Sequence, residues 1–484
     1  MNKCSKCNDG YKLENGKCIL NYSIKAIYYA NSKKSITLMY TYYKSKIKEI
    51  LIDGINQTII NNVYELEYGN HTVFILLDMN SLPDSMFYKC SDLKEIYFSP
   101  QFNNIEIKSF NNMFNGCSSL TSIDFSNFII NNSTSFFNMF SGCSSLKSIN
   151  ISNINISQVK SMNYMFLGCI ELENIVFPNI KTKELTDIQK MFSGCSSLKS
   201  LDLSNFDTQQ ITTFSNLFEG CISLTSLNIS NFVTTKVSSM VNMFKNCFSL
   251  TSLDLSNFDN NNLKEMDDIF SGCSKLKSLN LSGFKTINQI TSLKEIFKDC
   301  TSLISLDLSN FNTEKVKTMF NMFYNCSSLI SINLSSFDTT QVTSMEGLFY
   351  GCSSLISIDI SSFDTNKILY MSNMFYNCSS LASLNLSHFN TQTVYNINNM
   401  FYGCTSLTSI DLSNFNTNAN TNINGLFYGC SKLIYIDISS FIFPTVSNIY
   451  LFDNNIPLEG TIKVKNETME NKIKSQIPNW KIIY

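Results

Sequence analysis

The chain has 484 residues with a formal net charge of −2 at pH 7, and 44% of its residues are hydrophobic. This hydrophobic content excludes an intrinsically disordered chain, because there is enough apolar surface to form a core. The 36 basic and 38 acidic residues form no basic patch that would favour nucleic-acid binding. No apolar run approaches the roughly 18 residues of a membrane helix, so we expect no membrane-spanning segment.

Residues 1–20 contain Cys4, Cys7 and Cys18 in the pattern C-x2-C…G-Y-x-L…G-x-C. This pattern resembles the end of a small cysteine-rich module of extracellular proteins, of the epidermal growth factor or furin type. Three cysteines cannot all pair with one another, so we expect a missing partner upstream and an N-terminally truncated sequence, which also explains the lack of a signal peptide. A zinc site is the alternative, although three thiols without a nearby histidine are an incomplete ligand set.

Residues from about 21 to 85 predict a small β-rich domain. The segments SIKAIYYA, SITLMY, IKEILIDG, VYELEY and HTVFILLD are rich in β-branched and aromatic residues, and glycines mark the turns at Gly54 and Gly69. We expect this domain to cap the region that follows, whose first strand would otherwise leave an exposed core and an unpaired edge. A separate ligand-binding role is the alternative.

Residues 86–452 contain a repeat, and its cysteines mark the period. They are Cys90, Cys117, Cys143, Cys169, Cys195, Cys221, Cys247, Cys273, Cys300, Cys326, Cys352, Cys378, Cys404 and Cys430. Neighbouring positions differ by 26, except for 27 at the first step and between Cys273 and Cys300. A period of this length, sustained over about 14 coils, is typical of a solenoid in which each coil stacks on its neighbours.

The coil with the sequence CSSLKSLDLSNFDT shows how one repeat folds. Leu201 and Leu203 are two residues apart, so in a strand both side chains point into the core between coils. Ser200, Asp202 and Ser204 then point to the exposed face of a parallel sheet. The sequence therefore predicts one short strand in each coil.

The return path of each coil has a different pattern. Val237, Met240, Met243 and Phe244 recur at a spacing near three, which predicts short helical or 3-10 segments on the opposite face. The residue before each repeat cysteine is nearly always Gly, Asn or Asp, as at Asn246. Because these residue types accept a positive φ, we expect a left-handed corner there.

The combined signature CSSLxSLDLSNFDTxxVTxMxxMF resembles the BspA-like leucine-rich repeat family of bacterial and protist surface proteins. The resemblance implies an α/β solenoid, a right-handed coil with a parallel β-sheet on one face and short helical or 3-10 segments on the other. It also implies a cell-surface or secreted protein that takes part in adhesion or host interaction. It brings no catalytic residues and no particular ligand.

Residues 453–484 leave the repeat pattern. GTIKV predicts a strand, NETMENKIKSQI a short helix and WKIIY a last strand. We expect these elements to form a C-terminal cap, with the lone Trp480 over the final coil.

The repeat cysteines invite a metal or disulfide interpretation. In a parallel stack, however, neighbouring Cβ atoms would lie near the strand spacing of about 4.8 Å, beyond the usual range of about 3.5–4.5 Å for a disulfide. Buried cysteine packs well as a small hydrophobic residue, so we expect a structural row of thiols without metal or cofactor.

The exposed position of each strand is the candidate binding site. We name the following nine residues the polar strip: Asp202, Asn228, Asp254, Asn280, Asp307, Asn333, Asp359, Asn385 and Asp411. Alternation of acid and amide keeps the carboxylates about 10 Å apart, because neighbouring strands are about 4.8 Å apart. The strip is either a self-satisfied polar ladder or a surface that binds a basic protein, a glycan or calcium. Such widely spaced carboxylates form a poor calcium cage.

No catalytic constellation accompanies the repeats, since His71 and His388 are the only histidines and neither lies in a recognisable motif. The sequons at Asn56, Asn70 and Asn466 are plausible glycan acceptors. We therefore expect a non-catalytic surface or secreted protein that binds a protein or glycan on another cell or matrix. The alternative is an intracellular scaffold whose repeats provide a rigid spacer.

Overall fold

The computed structural model describes residues 11–14, 17–20, 23–40, 47–59, 62–77, 84–99, 107–125, 133–284, 288–418, 421–443 and 449–484. The chain divides into two compact units, Met1–Phe232 and Val233–Tyr484. Cys4 and Cys7 of the N-terminal pattern lie outside the described residues, and Cys18 lies in a strand of which only the backbone is described.

The first unit begins with antiparallel strands, because its sequence alternates β-branched and aromatic residues between glycine turns. Strands β1 (Tyr11–Glu14) and β2 (Lys17–Leu20) form a hairpin. They are followed by β3 (Ile24–Ala30), β4 (Lys34–Thr37), β5 (Ile47–Ile52), β6 (Ile55–Asn56), β7 (Val63–Leu66) and β8 (Gly69–Leu77). The strands predicted between residues 21 and 85 are confirmed.

Strand β9 (Leu93–Phe98) joins this region to the first coil. It pairs antiparallel with β3 and parallel with β10 (Ser122–Asp124), in a six-stranded sheet of order β10-β9-β3-β8-β5-β6. Strands β4 and β7 form a separate two-stranded sheet. Elements on both sides of the predicted boundary at residue 85 thus share one sheet, in which pairing changes from antiparallel to parallel at β9.

Later coils contribute short parallel strands in the repeat register. The first unit contains β11 (Ser148–Asn150), β12 (Asn174–Val176), β13 (Ser200–Asp202) and β14 (Ser226–Asn228). The second unit contains β15 (Ser252–Asp254), β16 (Ser278–Asn280), β17 (Ser305–Asp307), β18 (Ser331–Asn333), β19 (Ser409–Asp411) and β20 (Tyr435–Asp437). Leu201 lies opposite Leu227, and Leu253 lies opposite Leu279. The predicted parallel stacking of coils is confirmed within each unit, but strands β11 to β18 hydrogen-bond in separate pairs and not as one continuous sheet. The prediction of one strand in each coil is wrong for residues 357–359 and 383–385, which form no strand.

The core of each coil is a similar set of apolar layers. Leu201, Leu203 and Phe206 are buried on the strand side, and Phe218 and Cys221 are buried on the return side. The Phe218 ring stacks on Phe192 of the preceding coil, with ring centroids 5.8 Å apart and an interplanar angle of 7°. Because one coil cannot cover this apolar layer, stacking of neighbours supplies the hydrophobic stabilisation.

The return path consists of turns, which corrects the expected helical or 3-10 segments. The Asn242 N–H donates to the Asp267 carbonyl of the next coil at 3.1 Å, whereas the Met243 N–H closes a turn onto Met240. Asn242 and Asn246 have φ values of 56° and 60°. A left-handed residue at every fourth position interrupts a helix, and the described residues of the repeats contain no helical segment.

The left-handed corner predicted before each cysteine is confirmed. Its φ is 60° at Asn246, 72° at Gly351 and 58° even at Lys89, where the residue type gives no such signal. Glycine recurs here because it has no Cβ to clash in this conformation, and asparagine recurs because its short polar side chain can hydrogen-bond to the local backbone.

After the repeats, the second unit ends with β21 (Thr461–Lys463), helix α1 (Glu467–Ile473) and β22 (Lys481–Ile483). Both strands extend the sheet of β19 and β20 in parallel. Trp480 is buried, lies 6.1 Å from the Phe452 ring between centroids, and donates from Nε1 to the Pro457 carbonyl at 2.8 Å. In the described part of the chain, no helix has the length and apolar character needed to cross a bilayer.

Candidate binding surface

The D-x-S or N-x-S sequence at each member of the polar strip fixes the orientation of its side chain. Asp202 Oδ1 accepts a hydrogen bond from the Ser204 N–H at 2.9 Å, and Asn228 Oδ1 accepts from the Ser230 N–H at 3.3 Å. This local turn satisfies a backbone donor where the strand ends, which is a common use of Asp and Asn side chains. Each side chain of the strip is therefore held in place by its own backbone.

Neighbouring members of the strip also bond to each other. Asn228 lies opposite Asp202 in the parallel pair, and its Nδ2 donates to Asp202 Oδ1 at 3.0 Å. Asp254 lies opposite Asn280, and Asp307 lies opposite Asn333. The amide thus separates the carboxylates of alternate coils, as the acid–amide alternation predicts.

Hydrogen bonds lower the pKa of the carboxyl groups in the strip. The Ser204 N–H is the main cause of the lowered pKa of Asp202, and Ser256 and Ser309 lower the pKa of Asp254 and Asp307 in the same way. At Asp359 and Asp411 the serine two residues later again lowers the carboxyl pKa, first through its side chain and then through its N–H. These groups therefore remain negatively charged at neutral pH.

All nine predicted residues of the polar strip are exposed. Asp202 and Asn228 lie in the first unit, and the other seven lie in the second. Asp359 and Asn385 occupy the same repeat position, although their segments are not assigned as strands. The next position in the repeat, Asp437, departs from the pattern, because it is 6% exposed and lies 3.4 Å from Lys463. In the second unit the exposed strip therefore ends at Asp411.

An exposed apolar column, which the sequence did not reveal as a surface, lies beside the strip in the second unit. Ile304, Ile330 and Ile356, named here the isoleucine stripe, are 48%, 49% and 55% exposed. The Ile330 N–H donates to the Ile304 carbonyl at 2.9 Å, so these residues occupy the same position in successive coils. Because β-branched residues favour strands whether they are buried or exposed, the sequence alone does not show that these isoleucines are exposed.

A row of tyrosines on the return side was also missed. Tyr324, Tyr350, Tyr376 and Tyr402, named here the tyrosine ladder, have successive ring centroids 4.3, 4.4 and 4.4 Å apart, with interplanar angles of 9°, 2° and 6°. Partial burial and neighbouring phenols raise the pKa of Tyr376 to about 12. The rings cover one another, so only their edges and hydroxyl groups are available to a partner.

The repeat cysteines form the buried rows that the sequence predicts. All fourteen are buried free thiols. Cys117 Sγ donates to the Phe87 carbonyl at 3.0 Å, and Cys430 Sγ donates to the Phe401 carbonyl at 3.1 Å. Burial raises the pKa of the Cys117 thiol, and to about 12 at Cys221 and Cys430, so these thiols are poor metal ligands and nucleophiles.

The remaining candidate groups have structural partners. His71 Nδ1 lies 2.7 Å from Asp53 Oδ2, and His388 Nε2 lies 2.9 Å from the Ile360 carbonyl oxygen. Over the described ranges, no group of three or more His, Cys, Asp and Glu side chains is placed to hold a metal ion. In each unit the exposed strand positions carry carboxylates, amides and hydroxyls, and in the second unit exposed isoleucines lie beside them.

Comparison with known proteins identifies the family. A family profile described as "Mycoplasma protein of unknown function, DUF285" matches residues 79–201, 171–284, 243–360, 280–382 and 349–462. The chain belongs to the DUF285 family. A second profile, "BspA type Leucine rich repeat region (6 copies)", matches residues 15–138. The BspA-like leucine-rich repeat resemblance is thus confirmed, whereas the cysteine-rich module expected at residues 1–20 finds no support.

Several solved leucine-rich repeat structures are similar to this DUF285 chain. One from Bacteroides ovatus is 22% identical, with 78% of this chain and 88% of that chain covered and a TM-score of 0.47. The domain of InlJ from Listeria monocytogenes, which includes a cysteine ladder, is 15% identical over 76% of each chain, with a TM-score of 0.20. One from Leptospira interrogans is 13% identical over 84% of this chain and 93% of that chain, with a TM-score of 0.23.

A search of curated proteins found no match to the DUF285 chain. Leucine-rich repeat families typically bind proteins and are generally non-catalytic, and neither matching profile describes an enzyme. The recurring apolar residues of the repeat are explained by packing, which leaves the exposed positions free to vary with function.

Proposed function

We propose that this DUF285 protein is a non-catalytic binding protein that engages a protein ligand through the exposed face of its strands. The observation that carries the proposal is the polar strip, whose nine members are all exposed while the leucine or isoleucine that follows each of them is buried. Strand positions that packing does not require are available for recognition.

The chemistry of the strip favours a basic partner. Hydrogen bonds from the following serine keep Asp202, Asp254 and Asp307 ionised at neutral pH. Charges fixed on a rigid backbone attract and orient Lys and Arg side chains with little loss of side-chain entropy. A glycan is the second ligand class, because the serine hydroxyls beside the carboxylates provide regularly spaced hydrogen-bonding groups.

We further propose that the protein acts at a cell surface or after secretion, and that it mediates adhesion to another cell or matrix. The BspA-type match supports this location, since that family is typically surface-associated. Labelling of intact cells with an antibody to the repeats tests it. Labelling only after permeabilisation would instead favour an intracellular scaffold.

We also propose that the N-terminal β-rich region and the C-terminal region after the repeats cap the two ends of the repeat region. Strand β9 joins the N-terminal β-rich region to the first coil, and Trp480 packs against Phe452 at the other end of the chain. Covering terminal coils keeps apolar layers and strand edges from water, which favours a capping role for both regions.

The four-residue variant Asp202→Asn, Asp254→Asn, Asp307→Asn and Asp359→Asn tests the binding surface. Asparagine occupies this position in alternate coils, so the coils should keep their fold. The matched control removes the same charge from exposed glutamates away from the strip, by Glu184→Gln, Glu265→Gln, Glu314→Gln and Glu459→Gln. Binding is measured on an array of purified proteins and glycans.

The proposal expects the aspartate variant to lose at least tenfold in affinity for its protein ligand, while the glutamate control binds as the unmodified protein does. Equal losses in both variants would indicate a general charge effect. Unchanged binding by the aspartate variant would remove the polar strip from the binding surface.

A further inference from the structure

The isoleucine stripe is a local departure from the repeat in the second unit. The equivalent position is Thr251 and Lys277 in the two preceding coils and Thr408 two coils after the stripe. The residue in the coil directly after the stripe is the small, exposed Ala382, whose N–H donates to the Ile356 carbonyl at 3.2 Å. Three consecutive coils thus replace a polar surface with exposed apolar side chains, which marks an interaction site more than scattered apolar residues would.

Negatively charged side chains lie on one side of the isoleucine stripe. Asp307 and Asp359 lie on the exposed face of the same coils, three residues beyond Ile304 and Ile356. Their pKa values are lowered by hydrogen bonds from the following serines, so both are ionised at neutral pH. An apolar partner surface with basic side chains along one flank would therefore be complementary to this region.

The spacing of the stripe selects the secondary structure of that partner. Neighbouring coils are about 4.8 Å apart, so Ile304 and Ile356 are separated by about 10 Å along the stripe. On an α-helix, residues i and i+4 are about 5–6 Å apart, and residues i and i+7 are about 10.5 Å apart along the axis. On a strand, residues on the same face are about 6.7 Å apart, which does not match the spacing of about 4.8 Å between neighbouring isoleucines.

From this match we propose that the isoleucine stripe binds an amphipathic α-helix of a partner protein, with apolar residues at i, i+4 and i+7 on Ile304, Ile330 and Ile356. Lys or Arg side chains on one flank of the helix pair with Asp307 and Asp359. The proposal rests on the protein-binding function proposed above and specifies the chemistry of the ligand.

A synthetic helix tests the proposal. The probe is an alanine-based peptide of about 18 residues, long enough to populate a helix, with leucine at i, i+4 and i+7 and lysine along one flank. A control peptide has the same composition, with its leucines at i, i+2 and i+4. Binding to the full chain is measured by fluorescence anisotropy, and we expect the helical probe to bind at least tenfold more tightly than the control.

Variants of the chain locate the site. Ile304→Thr, Ile330→Thr and Ile356→Thr are combined, because threonine already occupies this position in other coils. We expect the triple variant to bind the helical probe at least tenfold more weakly, and Asp307→Asn with Asp359→Asn to make binding weaker and less sensitive to salt. Ile434→Thr is the control, since Ile434 is 54% exposed in the same column but follows Thr408 and lies outside the stripe.

Two results would overturn the proposal: equal binding of the two peptides, or unchanged binding of the helical probe by the triple variant. These failures are distinguishable from failure of the proposed function. If the chain binds an arrayed protein through the polar strip but does not bind the helical probe, the proposed protein-binding function stands. Only the proposed role of the isoleucine stripe then fails.

Discussion

The thiol of Cys221 donates a hydrogen bond to the carbonyl oxygen of Phe192, 3.2 Å away in the preceding coil. The same bond recurs between Cys352 and Phe323, also at 3.2 Å. In most coils the cysteine thus donates to a carbonyl at the corner of the preceding coil, inside a layer of stacked phenylalanines, whereas Cys90 lies against a backbone carbonyl of its own coil. The period of the cysteines is therefore a consequence of coil stacking, and packing together with this hydrogen bond is enough to explain why this residue type recurs.

We predict that the repeat thiols of the native protein resist alkylation. Burial raises the pKa of Cys221, Cys273 and Cys352 to about 12, so almost no thiolate is present at pH 8. Iodoacetamide labelling followed by mass spectrometry should modify these three cysteines only after denaturation. Complete labelling of the native protein at pH 8 would contradict the buried rows.

The same shift predicts alkaline destabilisation. The ordinary pKa is 9.0 and the folded value at Cys221 is about 12, so between these pH values the unfolded chain releases a proton that the folded chain keeps. The free energy of unfolding should therefore fall as pH rises above about 9. Denaturant unfolding at pH 7.5, 9 and 10.5 measures the effect. A Cys221→Ala variant should show a smaller dependence than the unmodified chain.

We predict that valine and asparagine, which are similar in size, differ in how much they destabilise the fold at the left-handed corner. Gly351 has a φ of 72°, and an added Cβ would lie 3.3 Å from the Asn325 Cα. Gly351→Val should reduce the free energy of unfolding by about 2 kcal/mol, whereas Gly351→Asn should cost less than about 1 kcal/mol. Asparagine occupies the corner of both neighbouring coils, at Asn325 and Asn377. Equal destabilisation by both variants in urea unfolding would argue against backbone conformation as the cause.

The tyrosine ladder should stabilise the second unit through its rings. Tyr376 stacks on Tyr350 and Tyr402 with centroids 4.4 Å away on both sides. Tyr376→Phe keeps both stacked contacts and should change the free energy of unfolding by less than about 0.5 kcal/mol, whereas Tyr376→Ala should lower it by about 2 kcal/mol. Tyr395→Ala is the control, because that side chain is 54% exposed. A large loss in Tyr376→Phe would assign the stabilisation to the hydroxyl instead.

The polar strip should keep its charge in mildly acidic solution. Hydrogen bonds from Ser204 and Ser256 lower the pKa of Asp202 and Asp254 below the ordinary value of 3.8. Binding of a basic protein should therefore be unchanged between pH 7 and about pH 5, and be lost only as the carboxylates protonate below about pH 4. Loss of binding between pH 7 and 6 would point to a titrating group other than these aspartates.

Much of the fold could be predicted because packing repeats along the sequence. Alternation of Leu201 and Leu203 with polar residues fixes the strand and its inward face, and the glycine or asparagine before each cysteine fixes one left-handed corner. The second corner, at Tyr164 and Lys190, has φ values of 60° and 55°. Neither residue type signals such a backbone, but most other coils carry asparagine, aspartate or glycine at this corner, as at Asn242. That signal was present in the sequence and was overlooked in favour of the apolar spacing near three, so the turns of the return path were mistaken for short helices.

The candidate surface was only partly predictable. The outward direction of Asp202 follows from its place between two buried leucines, and the structure places it on the exposed face. Ile304 and Tyr350 carry no such signal, because an isoleucine before a strand and a tyrosine beside a buried phenylalanine both resemble core residues. Their exposure and stacking depend on the neighbouring coils, which one repeat does not specify.

Carboxyl footprinting of the chain with and without its protein ligand tests the central claim most directly. Carbodiimide labelling reports the accessibility of each Asp and Glu side chain by mass spectrometry. If the exposed strand face is the binding surface, the ligand should reduce labelling of Asp254, Asp307 and Asp359 severalfold and leave Glu265 and Glu314 unchanged. Protection of the two glutamates, with the three aspartates still fully labelled, would contradict the account.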